Sequence, residues 1–319
     1  MQVLALGERR GPGRPGRTSR LALPGVALAL ALTACGGGTP TSSPAPAPAP
    51  SPPVSARSAS TGDSPTGTPQ SAPQSTPPSR APAPGTVPPS WLGTRPLPRA
   101  ADGYGVVRPT PPALRNRRFT LPDSVPMLPG TAFASRVETA PADVIARSTW
   151  QPGCPVARDQ LSWIRLTFWG FDDRRHTGEL LVNSAVADDV VTVFRALYAA
   201  RWPIEQMRIT TKAELDEDPT GDGNVTESFV CRPSTGQRSG FSQHAYGLAI
   251  DVDPFQNPYV KGDRVLPELA SAYLDRSRRA PGVIHPGDVV TRAFSAVGWG
   301  WGGDWHSLKD YQHFSSTGR

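Results

Sequence analysis

Two short segments in the last quarter of the chain combine histidine with aspartate at spacings that suit metal-dependent hydrolysis. The first segment carries His244 and Asp251, and the second carries Asp310 and His313. Catalytic zinc takes three protein ligands, and two histidines with one carboxylate form a known set that leaves a position open for water. A further carboxylate beside the metal can accept a proton from that water. We therefore predict His244, Asp251 and His313 as zinc ligands and Asp310 as the base.

The first segment can supply two ligands only if the chain bends within it. His244 and Asp251 are seven residues apart, so in one straight strand their side chains would face opposite ways. Gly247 lies between them, and glycine bends most easily. The alternative for each residue is structural: a buried histidine bonded to a backbone carbonyl, or an aspartate in a cap or turn.

The two segments together resemble a known peptidase family. His244-x-x-Gly247-x-Ala249-x-Asp251, preceded by Ser242 and followed later by Asp310-x-x-His313, is similar to the zinc peptidases typified by VanY and VanX D-alanyl-D-alanine peptidases and the L-alanyl-D-glutamate endopeptidases of bacteria and phages. The resemblance covers roughly residues 134–314 and includes GFDDRRHTGELLV at 170–182 and FVCRP at 229–233. It implies a zinc enzyme whose substrates are the stem peptides of peptidoglycan.

The resemblance also implies roles for residues outside the ligand set. Arg232 matches an arginine that stabilises the developing oxyanion, although it could instead be a surface arginine paired with an acidic loop. Ser242 and Asp253 would orient the ligands. His176 either lines the cleft or belongs to a structural turn. Trp305, with the nearby Trp299 and Trp301, forms either a substrate wall or the cover of a small core.

The second motif does not decide which peptide bond of the substrate is cut. Dipeptidase-type relatives resemble Glu-x-x-His, whereas Asp310-x-x-His313 looks more like the endopeptidase branch. Tyr311-Gln312 stands where those endopeptidases often have a proline before the histidine, so the match is incomplete. Both the L-Ala-D-Glu bond and the terminal D-Ala remain candidates. A non-hydrolytic, zinc-containing wall-binding module is the alternative from another functional class.

The patterns around these motifs predict an α+β domain built on a small antiparallel sheet with flanking helices. Short strand patterns alternate irregularly with separate helical patterns, which argues against a parallel α/β sheet. The predicted strands are 161–168, 178–182, 206–210 and 247–252, and the predicted helices are 184–202 and 288–297.

An acidic stretch at 216–227 places Asp216, Asp218, Thr220, Gly221 and Glu227 at calcium-loop positions. Thr220 is a weak ligand, Pro219 is unusual there, and clear flanking helices are missing from the pattern. We therefore favour a solvated acidic loop.

The N-terminal third of the sequence predicts an export signal followed by a tether. An arginine-rich start, a short apolar run and Leu32-Thr33-Ala34-Cys35 resemble a bacterial lipobox, with residues 1–34 as signal peptide and Cys35 as the lipidated residue. The alternative is an ordinary secretory signal with an incidental cysteine. Eighteen of the 38 prolines lie between Pro40 and Pro98, which predicts a disordered tether over 35–100. A connecting arm at 101–133 would precede a peptidase domain at 134–319.

The charge distribution argues against nucleic-acid binding, and the cysteines agree with export. Five arginines and one glutamate in the first 34 residues carry +4 of the formal +6, so the rest of the chain has too little positive charge to support nucleic-acid binding. Cys154 and Cys231 form an even pair, which favours a disulfide over two buried thiols. We expect a monomer, held on the outer face of the cytoplasmic membrane by its lipid and facing the cell wall.

Overall fold

The computed structural model describes residues 83–237 and 239–319, and these form the α+β arrangement that the sequence predicts. Its strands form three small antiparallel sheets, ordered β1-β2-β3, β4-β9-β7 and β6-β5-β8. The strands are β1 (Ser135–Thr139), β2 (Leu161–Trp169), β3 (Arg175–Asn183), β4 (Ala249–Asp251), β5 (Tyr259–Lys261), β6 (Arg264–Leu266), β7 (Gly300–Trp301), β8 (Lys309–Asp310) and β9 (His313–Ser315). The α-helices are α1 (Ala142–Arg147), α2 (Ala187–Ala199), α3 (Lys212–Asp216) and α4 (Val289–Ala296).

The long hairpin of β2 and β3 is buried on both faces. Alternate side chains of a strand point to opposite faces, so Leu180 and Val182 enter the main core while Leu181 enters a second core. The predicted strands at 161–168 and 178–182 are confirmed, and the second is longer than its pattern indicated.

Both predicted helices are confirmed and pack in the main core. The first begins with a 3-10 turn, capped by the side chain of Asn183, and continues as α2. In α4 the Asp288 carboxylate accepts hydrogen bonds from the backbone N–H groups of Val290 and Thr291, as an N-cap does. Valines and phenylalanines of α2 and α4 then pack against the hairpin and against β4 and β9.

The predicted strand at 206–210 is wrong. Met207 forms only an isolated bridge to Thr226. The backbone carbonyl of Met207 accepts from the N–H of Glu179 on β3, whereas the carbonyl of Gln206 accepts from the N–H of Thr226. Because its hydrogen bonds are divided between two partners, the segment does not extend a regular ladder.

The folded domain begins before residue 134, which corrects the predicted tether end and connecting arm. Residues 83–133 build most of one side of a third core, in which Leu114 and Phe119 pack with Phe255 and Tyr273. Arg117 is buried there, and its guanidinium forms two hydrogen bonds of 2.7 and 2.6 Å with the Glu205 carboxylate. A buried ion pair of this kind fixes the segment to the domain.

The predicted disulfide is confirmed, with Cys154 bonded to Cys231 across a separation of 77 residues. The predicted signal peptide, Cys35 and most of the tether lie outside the described residues. Among the helices of the described part, none is long and apolar enough to cross a membrane.

Candidate active site

A tight 3-10 turn aims His244 at Asp251. The turn spans Gln243–Tyr246, and the Ser242 hydroxyl caps it by accepting a hydrogen bond from the His244 N–H. Gly247 ends the turn with a φ of 67°, a left-handed conformation that glycine adopts without strain. The predicted bend at Gly247 is therefore confirmed, and Ser242 does orient the histidine loop.

Strand pairing brings the second motif to the first. Asp251 on β4 stands directly opposite His313 on β9. The Asp251 Oδ1 atom lies 3.2 Å from His244 Nε2 and 3.2 Å from His313 Nδ1, and the two nitrogens are 3.1 Å apart. All three residues are buried, with at most 5% of their surface exposed. The structure thus gathers the three predicted ligands at one point.

The remaining ring nitrogen of each histidine faces a main-chain oxygen. His244 Nδ1 lies 2.6 Å from the carbonyl oxygen of Ser228, and His313 Nε2 lies 3.3 Å from the main-chain oxygen of Arg319. These oxygens only accept hydrogen bonds, so each of these nitrogens carries the proton in the neutral ring. The lone pairs of His244 Nε2 and His313 Nδ1 consequently face Asp251, in the arrangement typical of metal-bound histidines.

These donors fit a divalent metal ion. Two neutral imidazole nitrogens and a carboxylate oxygen form a triangle with edges of 3.1 to 3.2 Å, and donor atoms in a tetrahedral zinc site lie roughly 3.3 Å apart. His244, Asp251 and His313 are the only His, Cys, Asp or Glu cluster of this kind among the described residues. Three converging lone pairs need a cation or protons between them, so the side-chain chemistry matches the predicted zinc site.

Electrostatics favour positive charge between the three groups. Burial acts to raise the pKa of the Asp251 carboxyl, but His244 and His313 lower it well below its usual range. Burial likewise acts to lower the pKa of His244, yet the Asp251 carboxylate raises it. The aspartate is therefore held as an anion that attracts a cation.

Asp310 is placed to act as a proton acceptor in the same cleft. Its Oδ1 atom is buried without a hydrogen-bond partner among the described residues. Burial first, and then the neighbouring Asp251 carboxylate, raise the pKa of Asp310 to about 7. A carboxyl with such a pKa exchanges protons readily near neutral pH. Gly302 lets the chain approach closely here, since a Cβ atom on it would lie 2.5 Å from the Asp310 carbonyl oxygen.

The three candidate ligands, Asp310 and Arg232 all line one cleft of about 1040 Å³. The Arg232 Nη1 atom donates to the Pro233 carbonyl and to the Thr235 hydroxyl, both at 3.3 Å. The disulfide at Cys231 fixes the residue beside it. Arg232 therefore lines the cleft, and it forms no ion pair with the acidic stretch among the described residues.

Of the tryptophans and the predicted orienting residue Asp253, only Trp305 lies beside the candidate ligands. Trp305 lines the cleft, with its ring centroid 5.3 Å from that of His313, while Trp299 and Trp301 are part of the main core. Asp253 does not contact the ligand side chains, which corrects its predicted role. Its Oδ1 atom accepts from the Glu205 N–H at 3.1 Å instead.

His176 does not line the cleft, so its structural alternative is the right one. Its Nδ1 atom lies 2.9 Å from Asp123 and its Nε2 atom lies 3.1 Å from Asp172. These two carboxylates, the Asp123 hydrogen bond first, raise the pKa of His176 against the opposing effect of burial. The residue ties the 123–128 segment to the start of β3.

The acidic stretch at 216–227 does not gather its oxygens at one point. Asp218 pairs with Arg99, and the Thr220 hydroxyl donates to Asp222. Glu227 lies elsewhere, with Thr210 donating to its Oε2 atom. The stretch is also not simply solvated, because Asp222 is buried and Glu227 lines the cleft.

Two parts of the cleft were missed by sequence reasoning. One is Glu227, for which the calcium template was the only signal. The other is the part of the wall formed by Leu92, Gly93 and Tyr104, which lie within the predicted tether and arm. The Gly93 N–H donates to the Asp222 carboxylate at 3.0 Å, and the Tyr104 hydroxyl accepts from the Gly236 N–H at 2.9 Å.

Comparison with known proteins adds a family relation for part of the chain. Residues 235–316 match the family model described as D-alanyl-D-alanine carboxypeptidase. The match supports a peptidase of the metallopeptidase superfamily, and it contains all three candidate ligands and Asp310. Arg232 and Glu227 lie just before it. No solved structure matches the chain.

Proposed function

We propose that the protein is a zinc peptidase that hydrolyses the stem peptides of peptidoglycan. The observation that carries this proposal is the triangle of His244, Asp251 and His313 beside the half-buried Asp310, whose buried Oδ1 atom has no hydrogen-bond partner among the described residues, in one cleft. The match to the carboxypeptidase family over the same residues supports it.

His244, Asp251 and His313 would hold the metal. A bound Zn²⁺ supplies Lewis-acid activation of water and of the scissile carbonyl. Asp310 accepts the proton of the attacking water and returns it to the leaving amine, which its raised pKa of about 7 permits. Arg232 stabilises the negative charge that develops on the carbonyl oxygen. The Ser242 cap keeps His244 oriented.

Removal of the terminal D-Ala is the first candidate reaction, because the matching family model carries that description. Cleavage between L-Ala and D-Glu is the second, since the Asp310-x-x-His313 spacing resembles the endopeptidase branch. The two reactions release different products from the same pentapeptide.

The test is hydrolysis of purified stem pentapeptides by the zinc-loaded protein, with products identified by mass spectrometry. We expect cleavage that a chelator abolishes and added zinc restores. The Asp310→Asn variant should lose roughly a hundredfold or more in rate, as loss of a general base does, while still binding zinc. Free D-Ala would identify a carboxypeptidase, and separated L-Ala an endopeptidase.

Asp304→Asn is the matched control for this experiment. Asp304 is an exposed aspartate in the neighbouring loop, so the same chemical change there should leave the rate unchanged. If the folded, zinc-loaded protein cleaves no stem peptide, the enzyme proposal fails and the non-hydrolytic wall-binding module takes its place.

We also propose that Cys35 carries a lipid that anchors the protein to the outer face of the cytoplasmic membrane. The sequence from Arg9 to Cys35 supports this proposal by its charge, apolar run and small residues. Replacing Cys35 by Ala should move the protein from the membrane fraction to the soluble fraction. An unchanged membrane fraction would contradict the anchor.

A further inference from the structure

Glu227 stands beside the candidate metal ligands on the same face of the sheet. The Glu227 N–H donates to the Asp251 carbonyl at 3.1 Å, and the Asp251 N–H donates to the Glu227 carbonyl at 2.9 Å. Two residues that exchange both hydrogen bonds in an antiparallel pair direct their side chains to one face, with Cβ atoms roughly 5.5 Å apart. His313 pairs with Asp251 from the other side. Glu227, Asp251 and His313 therefore form one cross-strand row.

Only one oxygen of the Glu227 carboxylate has a hydrogen-bond partner among the described residues. The Thr210 hydroxyl donates to its Oε2 atom. Its Oε1 atom has no hydrogen-bond partner among the described residues. This atom is also not among their fully buried, unpaired polar atoms, so it is accessible. Since the residue lines the cleft, this oxygen is open to a ligand.

No lysine or arginine of residues 83–237 and 239–319 forms an ion pair with Glu227. Arg117 and Arg208, which line the same cleft, pair with Glu205 and Glu214. Arg232 donates to Pro233 and Thr235.

Two carboxylates directly opposite each other in a sheet repel, and such a pair is destabilising without compensation. A metal ion would neutralise Asp251. Glu227 is not part of the donor group that closes around that position, and Arg232 acts on it only as a nearby charge without an ion-pair contact among the described residues, so its open oxygen can take a further cationic partner.

We propose that Glu227 binds a primary ammonium group of the peptide substrate, close to the scissile bond. This inference rests on the proposed peptidase function and adds a specificity to it. The open Oε1 atom accepts the charged hydrogen bond, while Thr210 holds the carboxylate in place. A neutral amide at the same place in the peptide would leave Glu227 uncompensated and would bind more weakly.

The test compares pentapeptides that end in Lys-D-Ala-D-Ala and carry a blocked α-amine, with either a free or an acetylated lysine side chain. Calorimetry gives the Kd of each peptide, and mass spectrometry gives its cleavage rate. We expect the free amine to improve binding by about tenfold, as a charge-assisted hydrogen bond does. Glu227→Gln should remove that preference, so that the free-amine and acetylated peptides bind with equal Kd. A third peptide, with a free α-amine and acetylated lysine, shows which of the two amines is bound.

Glu217→Gln is the matched control, because Glu217 is an exposed glutamate of the same cleft. It removes the same charge and should keep the preference, whereas Thr210→Val should weaken it. Equal binding of all three peptides would overturn the role of Glu227 but leave the peptidase intact. An equal loss of preference in Glu217→Gln would also overturn the role of Glu227, because the preference would then come from the overall negative charge of the cleft. Absence of both binding and cleavage would overturn the specificity together with the proposed function.

Discussion

At the scale of single residues, the two candidate histidine ligands differ in the nitrogen that they present. The carbonyl of Ser228 fixes His244 with its Nε2 lone pair inward, and the main-chain oxygen of Arg319 fixes His313 with Nδ1 inward. The sequence predicts which histidines meet through the resemblance of its two motifs to a zinc peptidase family, because His244 and His313 are 69 residues apart and no local pattern joins them. The sequence does not predict which ring nitrogen faces inward, since this depends on main-chain oxygens 16 and 6 residues away that no sequence pattern places.

His176 should make stability depend on pH. Its pKa is raised in the folded protein by Asp123 and Asp172, so its contribution is fully present below the unfolded pKa and is lost as pH rises through the folded one. We expect His176→Asn to lower the free energy of unfolding clearly at pH 5.5 and much less at pH 9, in urea titrations at both values.

The control for His176 is His306→Asn, which removes a ring from an exposed loop without a described ion pair. An equal loss of stability at both pH values in His176→Asn would show that the ion pairs do not contribute.

Glu227 illustrates the limit of prediction at this scale. Its neighbours in sequence suggest a calcium loop, but its position is set by pairing with Asp251, 24 residues later. No local spacing rule reports such a bridge.

At the scale of elements, long amphipathic patterns are predictable and very short strands are not. The nine residues of β2 have the β-branched and aromatic content typical of a strand, whereas β7 and β8 have only two residues each. Two residues carry no period. Yet β8 carries Asp310, so part of the site stands on an element that only tertiary pairing with β5 defines.

Gly302 should control the position of Asp310 without touching the candidate metal ligands. A Cβ atom there would lie 2.5 Å from the Asp310 carbonyl oxygen and 2.8 Å from its Cβ atom, so the backbone must shift. We expect Gly302→Ala to lower the hydrolysis rate at least about tenfold, because small displacements of catalytic groups are costly. Zinc content should stay at the native level. Rate and metal content are measured on the same sample.

Gly223→Ala serves as the control, since a Cβ atom on this cleft glycine meets nothing within 4 Å. If Gly302→Ala retains full activity, Asp310 is not held by this contact.

At the scale of the whole molecule, residues 83–133 are part of the folded domain and contribute to the cleft. Proline-rich composition predicts a tether and an arm because the apolar residues there are sparse. Arginine is rarely buried, so nothing in the sequence marks Arg117 as a core residue. The structure places it between the rings of Phe119 and Phe255, with its charge paired to Glu205.

Arg117→Met should therefore destabilise the entire domain. Removing one partner of a buried ion pair leaves the other charge uncompensated, at a cost of about 3 to 5 kcal/mol. Arg118→Met, the same change at an exposed neighbour, should cost less than about 0.5 kcal/mol. Chemical denaturation of both variants measures the difference. Equal stability of the two variants would return residues 101–133 to the role of a loose arm.

Each role proposed for the cleft depends on a zinc ion held by His244, Asp251 and His313. A crystal structure of the zinc-treated protein, with anomalous scattering measured on both sides of the zinc absorption edge, tests for this ion most directly. We predict a strong zinc peak bonded at about 2.0–2.2 Å to His244 Nε2, Asp251 Oδ1 and His313 Nδ1. Absence of a peak at this position, or a peak only elsewhere, would contradict the account.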